Sequence, residues 1–306
     1  MKSLLDLIST SDFIYSIFRV TTPLLFASMG AVVSDVAGVP NISLEGLMLI
    51  AAFSGMFFSY LSQSALIGLI MALVMAVAFS GLLAFFTLHY KTNIILGGIA
   101  INSLASGGTI FFLYLVAHDK GTSISLASKV LPTINIPIIQ DLPIVGHIIS
   151  GHNILTYLSL LAVLFTYYLL KKTALGFHIR AVGEKKEAAE SVGINVTKIQ
   201  AIAILFSGLM CGFGGAFMSM GYVSWFSRDM ISGRGWIALA AESMGRQTVL
   251  GSALTSFLFG IADALSNALA SMGYSSDLVK TIPYFATLIG ITIFSVRIYR
   301  KSKKIA

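Results

Sequence analysis

Asp263, Ser266 and Asn267 stand at i, i+3 and i+4 inside an apolar run that also carries Ser252 and Ser256, so the three share one helix face. A second run carries Gly98, Asn102, Ser106 and Thr109 as another stripe. Glu45 opens a further run, Glu242 closes a weaker one, and Arg19 lies one turn before Pro23. Ionisable and amide groups in such surroundings are costly, so each needs a partner or a watery path. Two uses follow: the groups hydrogen-bond neighbouring helices, or they line a hydrated route for a polar solute. Amides and hydroxyls with few fixed charges suit a neutral solute, whereas an ion route calls for rings of charge. Asp263 is the costliest of the set. Glu45 has a structural use too, because a carboxylate in a first helical turn complements free N–H groups and the helix dipole.

Catalytic patterns are missing. The sequence holds no Gly-x-x-x-x-Gly-Lys-Ser/Thr phosphate loop, no His-Glu-x-x-His, no Gly-x-Ser-x-Gly and no Cys-x-x-Cys. His89, His118, His147, His152 and His178 fall mostly in loops without metal-ligand spacing. Cys211 is the sole cysteine and sits in a run of small residues, where packing is its use. No catalytic residue, metal ligand or cofactor site is assigned to this chain, and an intramembrane enzyme is set aside. If ATP drives the process, another chain must bind ATP and Mg and hydrolyse it.

The elements that must position these groups follow from composition. Of 306 residues, 56% are hydrophobic and 11% charged, against about 45–50% and about 25% in soluble domains. The chain is therefore an all-α polytopic membrane protein, a single transmembrane domain over 1–306 with about nine membrane helices (range about 8–10) at about 20 residues each. Apolar runs place them near 13–33, 44–60, 65–88, 94–117, 153–170, 199–223, 249–272 and 282–299, with a weaker run at 231–243 behind Gly233 and Gly235. Met1 to Thr10 lacks a basic segment and a cleavage site, so the first span is the expected insertion signal. Small residues from Ser207 to Ala216, at four-residue spacing, predict close helix packing.

Charge orients the chain. Segment 171–198 and the tail from Arg297 to Lys304 together hold 11 of the 20 basic residues, which places both in the cytoplasm. The connection 118–152 has two lysines against two aspartates and suits the outside. The 231–243 run must then count as a crossing, which leaves the N-terminus outside. The net charge of +7 flanks apolar segments, so nucleic acid is not an expected partner. Asn41-Ile-Ser-Leu-Glu45 and Trp236-Ile-Ala-Leu239 echo each other, each behind a glycine turn. A layout of two inverted groups of four around a connecting helix would explain that echo. Within 171–198, Glu184 to Val192 reads as one short helix ended by Gly193. Ala188, Ala189 and Val192 form its small apolar face, which a solvated linker would not need and a helix docking in a partner's groove would.

These motifs resemble a known family. Arg180-Ala-Val-Gly183-Glu184, Ala188-Ala189 and Gly193-Ile-Asn-Val196 resemble the coupling loop of ABC-transporter permeases of the nucleoside and simple-sugar type. These lie within the wider ribose and branched-chain amino acid permease group. Gly38-Val-Pro-Asn-Ile-Ser-Leu-Glu45-Gly46, Gly98-Ile-Ala-Ile-Asn102, Ser207-Gly208 and Gly233-Arg-Gly235-Trp236 extend the likeness from about residue 20 to 270. The resemblance implies an importer subunit for a neutral polar solute, most readily a nucleoside, with a simple sugar or riboflavin as alternatives. A proton-coupled secondary transporter using Asp263 or Glu45 is the reading from another class. The resemblance further implies ATP-binding subunits, a second, different permease and an extracellular solute-binding lipoprotein that touches 118–152, all at a bacterial inner membrane. It carries Asn41, Glu45, Asn102, Phe226 and Trp236 over as positions near the solute path, beside Asp263 and Asn267. Arg180, Gly183, Glu184, Ala188, Ala189 and Gly193 would couple to the ATPase. Pro40, Ser34-Asp35-Val36 and Arg246-Gln247-Thr248-Val249 depart from the family pattern and bear on cargo identity.

Overall fold

The computed structural model describes residues 10–137 and 145–272, with isolated positions 279, 281, 282, 285, 290 and 292 beyond them. The basic tail and most of the 282–299 run lie outside the described residues.

Eleven helices follow in order among the described residues. They are α1 (Ser11–Val36), α2 (Leu44–Ser62), α3 (Ala65–Leu88), α4 (Ile94–Ala117), α5 (Val145–Ile149), α6 (Ile154–Lys172), α7 (Ala174–Glu184), α8 (Lys186–Ser191), α9 (Val196–Phe217), α10 (Arg234–Met244) and α11 (Val249–Ser271). Helix α9 runs on into a π-helical turn, Met218–Tyr222. Side-chain caps set many of the starts. Thr10, Asn93, Asn153, Thr173, Asn195 and Thr248 each accept from a main-chain N–H of the first turn, which satisfies donors that no helical carbonyl can reach.

Seven of the described helices are long and apolar enough to cross a membrane: α1, α2, α3, α4, α6, α9 with its π turn, and α11. Among the described residues the expected count of about nine is not confirmed, and most of the 282–299 run lies outside them. The 231–243 run is the reason on the described side. Ser232 at φ +51° and Gly233 at φ +80° delay the helix start, and the 11 residues of α10 span about 16 Å at 1.5 Å each. That is about half of a 30 Å hydrocarbon layer.

Helix α1 is the central post. Every residue from Val20 to Ser34 is buried, because α6, α9, α10 and α11 all pack against it. Helices α3 and α4 lie outside, with 28% and 22% of their apolar windows buried against 78% for α1. Close approach of α9 rests on missing side chains. A Cβ on Gly215 would lie 2.8 Å from the Met48 carbonyl carbon, and one on Gly208 would lie 2.5 Å from Ser80 Cβ. The small residues of 207–216 thus pack helices, as their spacing predicts, and Cys211 is buried among them.

The two long connections lie at opposite ends of α9. The segment 121–136 is tied to the outgoing end: Leu131 N–H donates to Met220 O at 2.8 Å, and Ser123 exchanges bonds with Phe226. The basic segment lies at the incoming end, against the close of α1. It is not the single helix expected over Glu184 to Val192. Lys185, at φ −156°, separates α7 from α8, and Gly193, at φ +83°, follows α8. The first helix starts ten residues earlier because Thr173 caps Gly176 N–H at 3.0 Å.

Candidate functional site

The buried polar groups converge on residues 41–46, where the chain re-enters as α2. Asn41 is fully buried. Its Nδ2 donates to Ser207 Oγ on α9 at 2.9 Å, while its Oδ1 accepts from Ser43 N–H at 3.0 Å and Ser43 Oγ at 2.6 Å. Ser207 lies 11 residues after Val196, about 16 Å along α9, so α2 begins beside the middle of α9. Asn102 on α4 clamps the same break. Its Oδ1 accepts from Gly46 N–H at 2.8 Å, and its Nδ2 donates to Ile42 O at 3.0 Å.

Glu45 closes the junction from the other half of the chain. Its two carboxylate oxygens accept from Gly233 N–H at 2.8 Å and Gly235 N–H at 2.7 Å. The carboxylate therefore caps α10, a helix 190 residues away, as well as standing in the first turn of its own. Two helix N-termini meet here, and their partial positive charges share one anion. Gly235 has no room for a side chain, since a Cβ there would lie 2.6 Å from Glu45 Cα. Next to it Arg234 forms an ion pair with Asp263 of α11 at 3.0 Å, with 13% and 18% of the two side chains exposed. Arg234 also lies 6.0 Å from the Tyr222 ring, which Arg19 covers at 4.5 Å from the other side of the chain.

The polar stripes divide between two uses. Ser256 Oγ donates to Ser28 Oγ at 2.9 Å, Ser266 Oγ to Val279 O at 2.7 Å, and Thr109 Oγ1 to Ala105 O at 2.7 Å. Gly98 packs on Ile42. Asn267, Trp236 and Ser106 remain exposed. Phe226 is wholly buried, edge-on to Phe53 at 5.5 Å, and pins the 121–136 segment instead of lining an open face.

Two features escape a reading of spacing. Ser207 belongs to a packing run and shows its second role only as the partner of a buried amide. Near the start of α1, Tyr15, Arg19, Thr133, His152, Asn153 and Thr156 line a cavity of about 250 Å³. Tyr15 stacks on His152 at 3.9 Å, and Arg19 donates to Tyr222 O in the π turn. The one usable signal was a cation inside an apolar run.

Residues 13–296 match the family model of the branched-chain amino acid transport system permease component. The chain belongs to that family. The permease is similar to nucleoside ABC transporter permease protein NupC of Lactococcus lactis subsp. cremoris (strain MG1363), 30% identical over 95% of this chain and 92% of that one. It is also similar to guanosine ABC transporter permease protein NupQ of Bacillus subtilis (strain 168), 32% identical over 89% and 88%. Its fold is shared with a solved structure described as a metal-chelate type ABC transporter in an inward-facing conformation. The TM-score is 0.54 at 17% identity, over 92% of this chain and 85% of that one. The expected resemblance thus holds, and the chain is a multi-pass ABC transporter permease, a transport component.

In the permease the candidate coupling residues separate by face. Arg180, Gly183, Glu184, Ala188 and Gly193 are exposed, together with Phe177 and Val192. Ala189 faces inward at 3% exposure, and its carbonyl accepts from Ile194 N–H at 3.0 Å. Ala188 and Ala189 therefore do not share one outward face. Gly183 abuts the end of α1: a Cβ there would overlap the Val36 carbonyl oxygen and lie 2.8 Å from its carbon.

Proposed function

We propose that this permease passes a nucleoside across a bacterial inner membrane, as one subunit of an importer powered by ATP hydrolysis on separate chains. The observation that carries the cargo is the near full-length similarity to two relatives named for nucleosides and guanosine. The chemistry of the open surface supports it. The least buried long helix, α4, exposes Ser103, Ser106 and Gly107 among apolar side chains such as Leu104 and Phe111 and carries no charge, which suits a neutral polar solute.

ATP-binding subunits dock on Phe177, Arg180, Glu184, Ala188 and Val192. A second, different permease faces α4, and an extracellular solute-binding lipoprotein delivers cargo to the 118–137 side. This chain holds no ATP or Mg itself. The two carboxylates that a proton-coupled transporter would use have other partners: Asp263 has Arg234, and Glu45 has two main-chain N–H groups.

The test is uptake of labelled guanosine by vesicles containing both permeases, the ATPase and the lipoprotein. Uptake should vanish when the ATPase is inactivated and persist with a protonophore. The opposite pattern would identify a secondary transporter, and displacement by glucose or riboflavin but not by adenosine would move the cargo to those alternatives.

A further inference from the structure

Arg19 is a half-buried cation in a membrane helix, and no carboxylate stands beside it. Among the described residues the one ion pair joins Arg234 to Asp263. Of the five N–H donors of a guanidinium, one in Arg19 bonds the Tyr222 carbonyl, and the planar group lies 4.5 Å over the Tyr222 ring. Arg19 also lines the cavity of about 250 Å³, with Thr133, Thr156 and His152, and no acidic side chain is among the described lining residues. A cation so placed calls for a counter-charge.

The cavity is held open by its walls. Gly221, in the π-helical turn Met218–Tyr222, forms one of them. A Cβ there would lie 3.0 Å from Asn153 Cγ and 2.9 Å from Phe217 Cδ2, so a side chain would close the space. Asn153 is fixed in turn, since its Nδ2 donates to Leu131 O at 3.0 Å and its Oδ1 accepts from Leu155 N–H at 3.1 Å. Tyr15 donates to Gly151 O at 3.0 Å while stacking on His152. Such π turns inside helices frequently accompany functional sites.

We infer that this cavity binds a phosphate group, held by the uncommitted edge of the Arg19 guanidinium. That planar fork matches phosphate oxygens two at a time, and the Thr133 and Thr156 hydroxyls supply further donors. The volume far exceeds the roughly 30 Å³ share of a single water. The level is that of bilayer headgroups. Helix α6 has 19 residues between the Asn153 cap and Lys171 and Lys172, about 28 Å at 1.5 Å each, which matches the hydrocarbon layer. Thr156, in its first turn, therefore lies at the boundary. Tyr15 and Tyr157 anchor the same level through Gly151 O and Ile149 O, as tyrosines at membrane interfaces do. The headgroup of an anionic phospholipid carries a phosphodiester at this depth, and free phosphate reaches it from the water.

Unfolding temperature and native mass spectrometry of the full-length permease in neutral detergent test the site. The two probes are phosphatidylglycerol and inorganic phosphate, at an ionic strength held constant with chloride. At least one should bind the wild-type chain and raise its unfolding temperature. A shift with phosphatidylglycerol alone assigns the phosphate to a lipid headgroup, one with inorganic phosphate alone assigns it to the water phase, and a shift with both shows a site open to either. In Arg19→Gln the affinity should fall about tenfold or more. Thr133→Glu serves if that variant does not fold. Thr133 is exposed, and a carboxylate there supplies the counter-charge from within the chain. Without ligand its unfolding temperature should equal or exceed the wild-type value, and neither probe should raise it. Three results would overturn the site: no binding to the wild-type chain, a shift that uncharged diacylglycerol reproduces, or undiminished binding by either folded variant.

Discussion

Glu45 accepts two N–H groups from another helix with one carboxylate, and hydrogen bonds to a charged acceptor are worth about 1.5–3 kcal/mol each. Glu45→Gln keeps the shape but turns an NH2 toward one of those donors. The expected loss is about 1–3 kcal/mol, read as a lower unfolding temperature in detergent, with Glu45→Ala losing more. A wild-type unfolding temperature for both variants would show that the cap contributes nothing. His152 offers a pH-dependent counterpart outside the spans. Burial, offset in part by the Ile148 carbonyl and assisted by the Arg19 charge, holds its pKa below the ordinary value. The folded state therefore binds fewer protons than the unfolded one between that lowered value and about 6.5. Its contribution is fully present above about pH 6.5 and declines as pH falls through the window. Unfolding temperatures at pH 7.5 and 5.5 should converge in His152→Gln relative to wild type; an unchanged difference would assign the pH dependence elsewhere.

Among elements, α8 shows how one turn of helix decides what a substitution does. Ala188 is exposed and Ala189 buried, although both are small and adjacent. Ala188→Glu should cut uptake at least tenfold while the purified permease keeps its unfolding temperature, because the new charge meets only the docking partner. Ala189→Glu should lower that temperature, because it forces a carboxylate into an apolar contact. Equal behaviour of the two would mean that α8 does not dock as oriented. The sequence had already marked both alanines, and Gly193 as the stop. It could not divide them by face, because the break at Lys185 resets the helical phase and depends on α7 packing against α1, α6 and α9.

At the scale of the whole molecule, the outer position of α4 is the open question that assembly answers. Nothing lies within 4 Å of a Cβ placed on Gly107, so Gly107→Trp should leave the isolated subunit's stability intact and block uptake once the second permease is present. Unimpaired uptake would move both passage and partner to another face. Much of the architecture was legible in the chain. Apolar run lengths located the seven long helices within a few residues, and the motif set located the family, because hydropathy and caps act over a single element. The 231–243 run had hydropathy suited to a crossing, but its glycine turn leaves a helix of about half that length. The polar groups were legible as costly, and their destinations were not. Asn41 finds Ser207 across 166 residues and Glu45 finds Gly235 across 190, distances at which spacing carries no information. What the sequence determined alone was the membrane class, the helices and the kinship, since burial in lipid selects by local composition. Only the tertiary structure decided which of the few polar side chains tie helices together and which stay open, since a hydrogen bond needs its partner within about 3 Å and the fold alone brings that partner there.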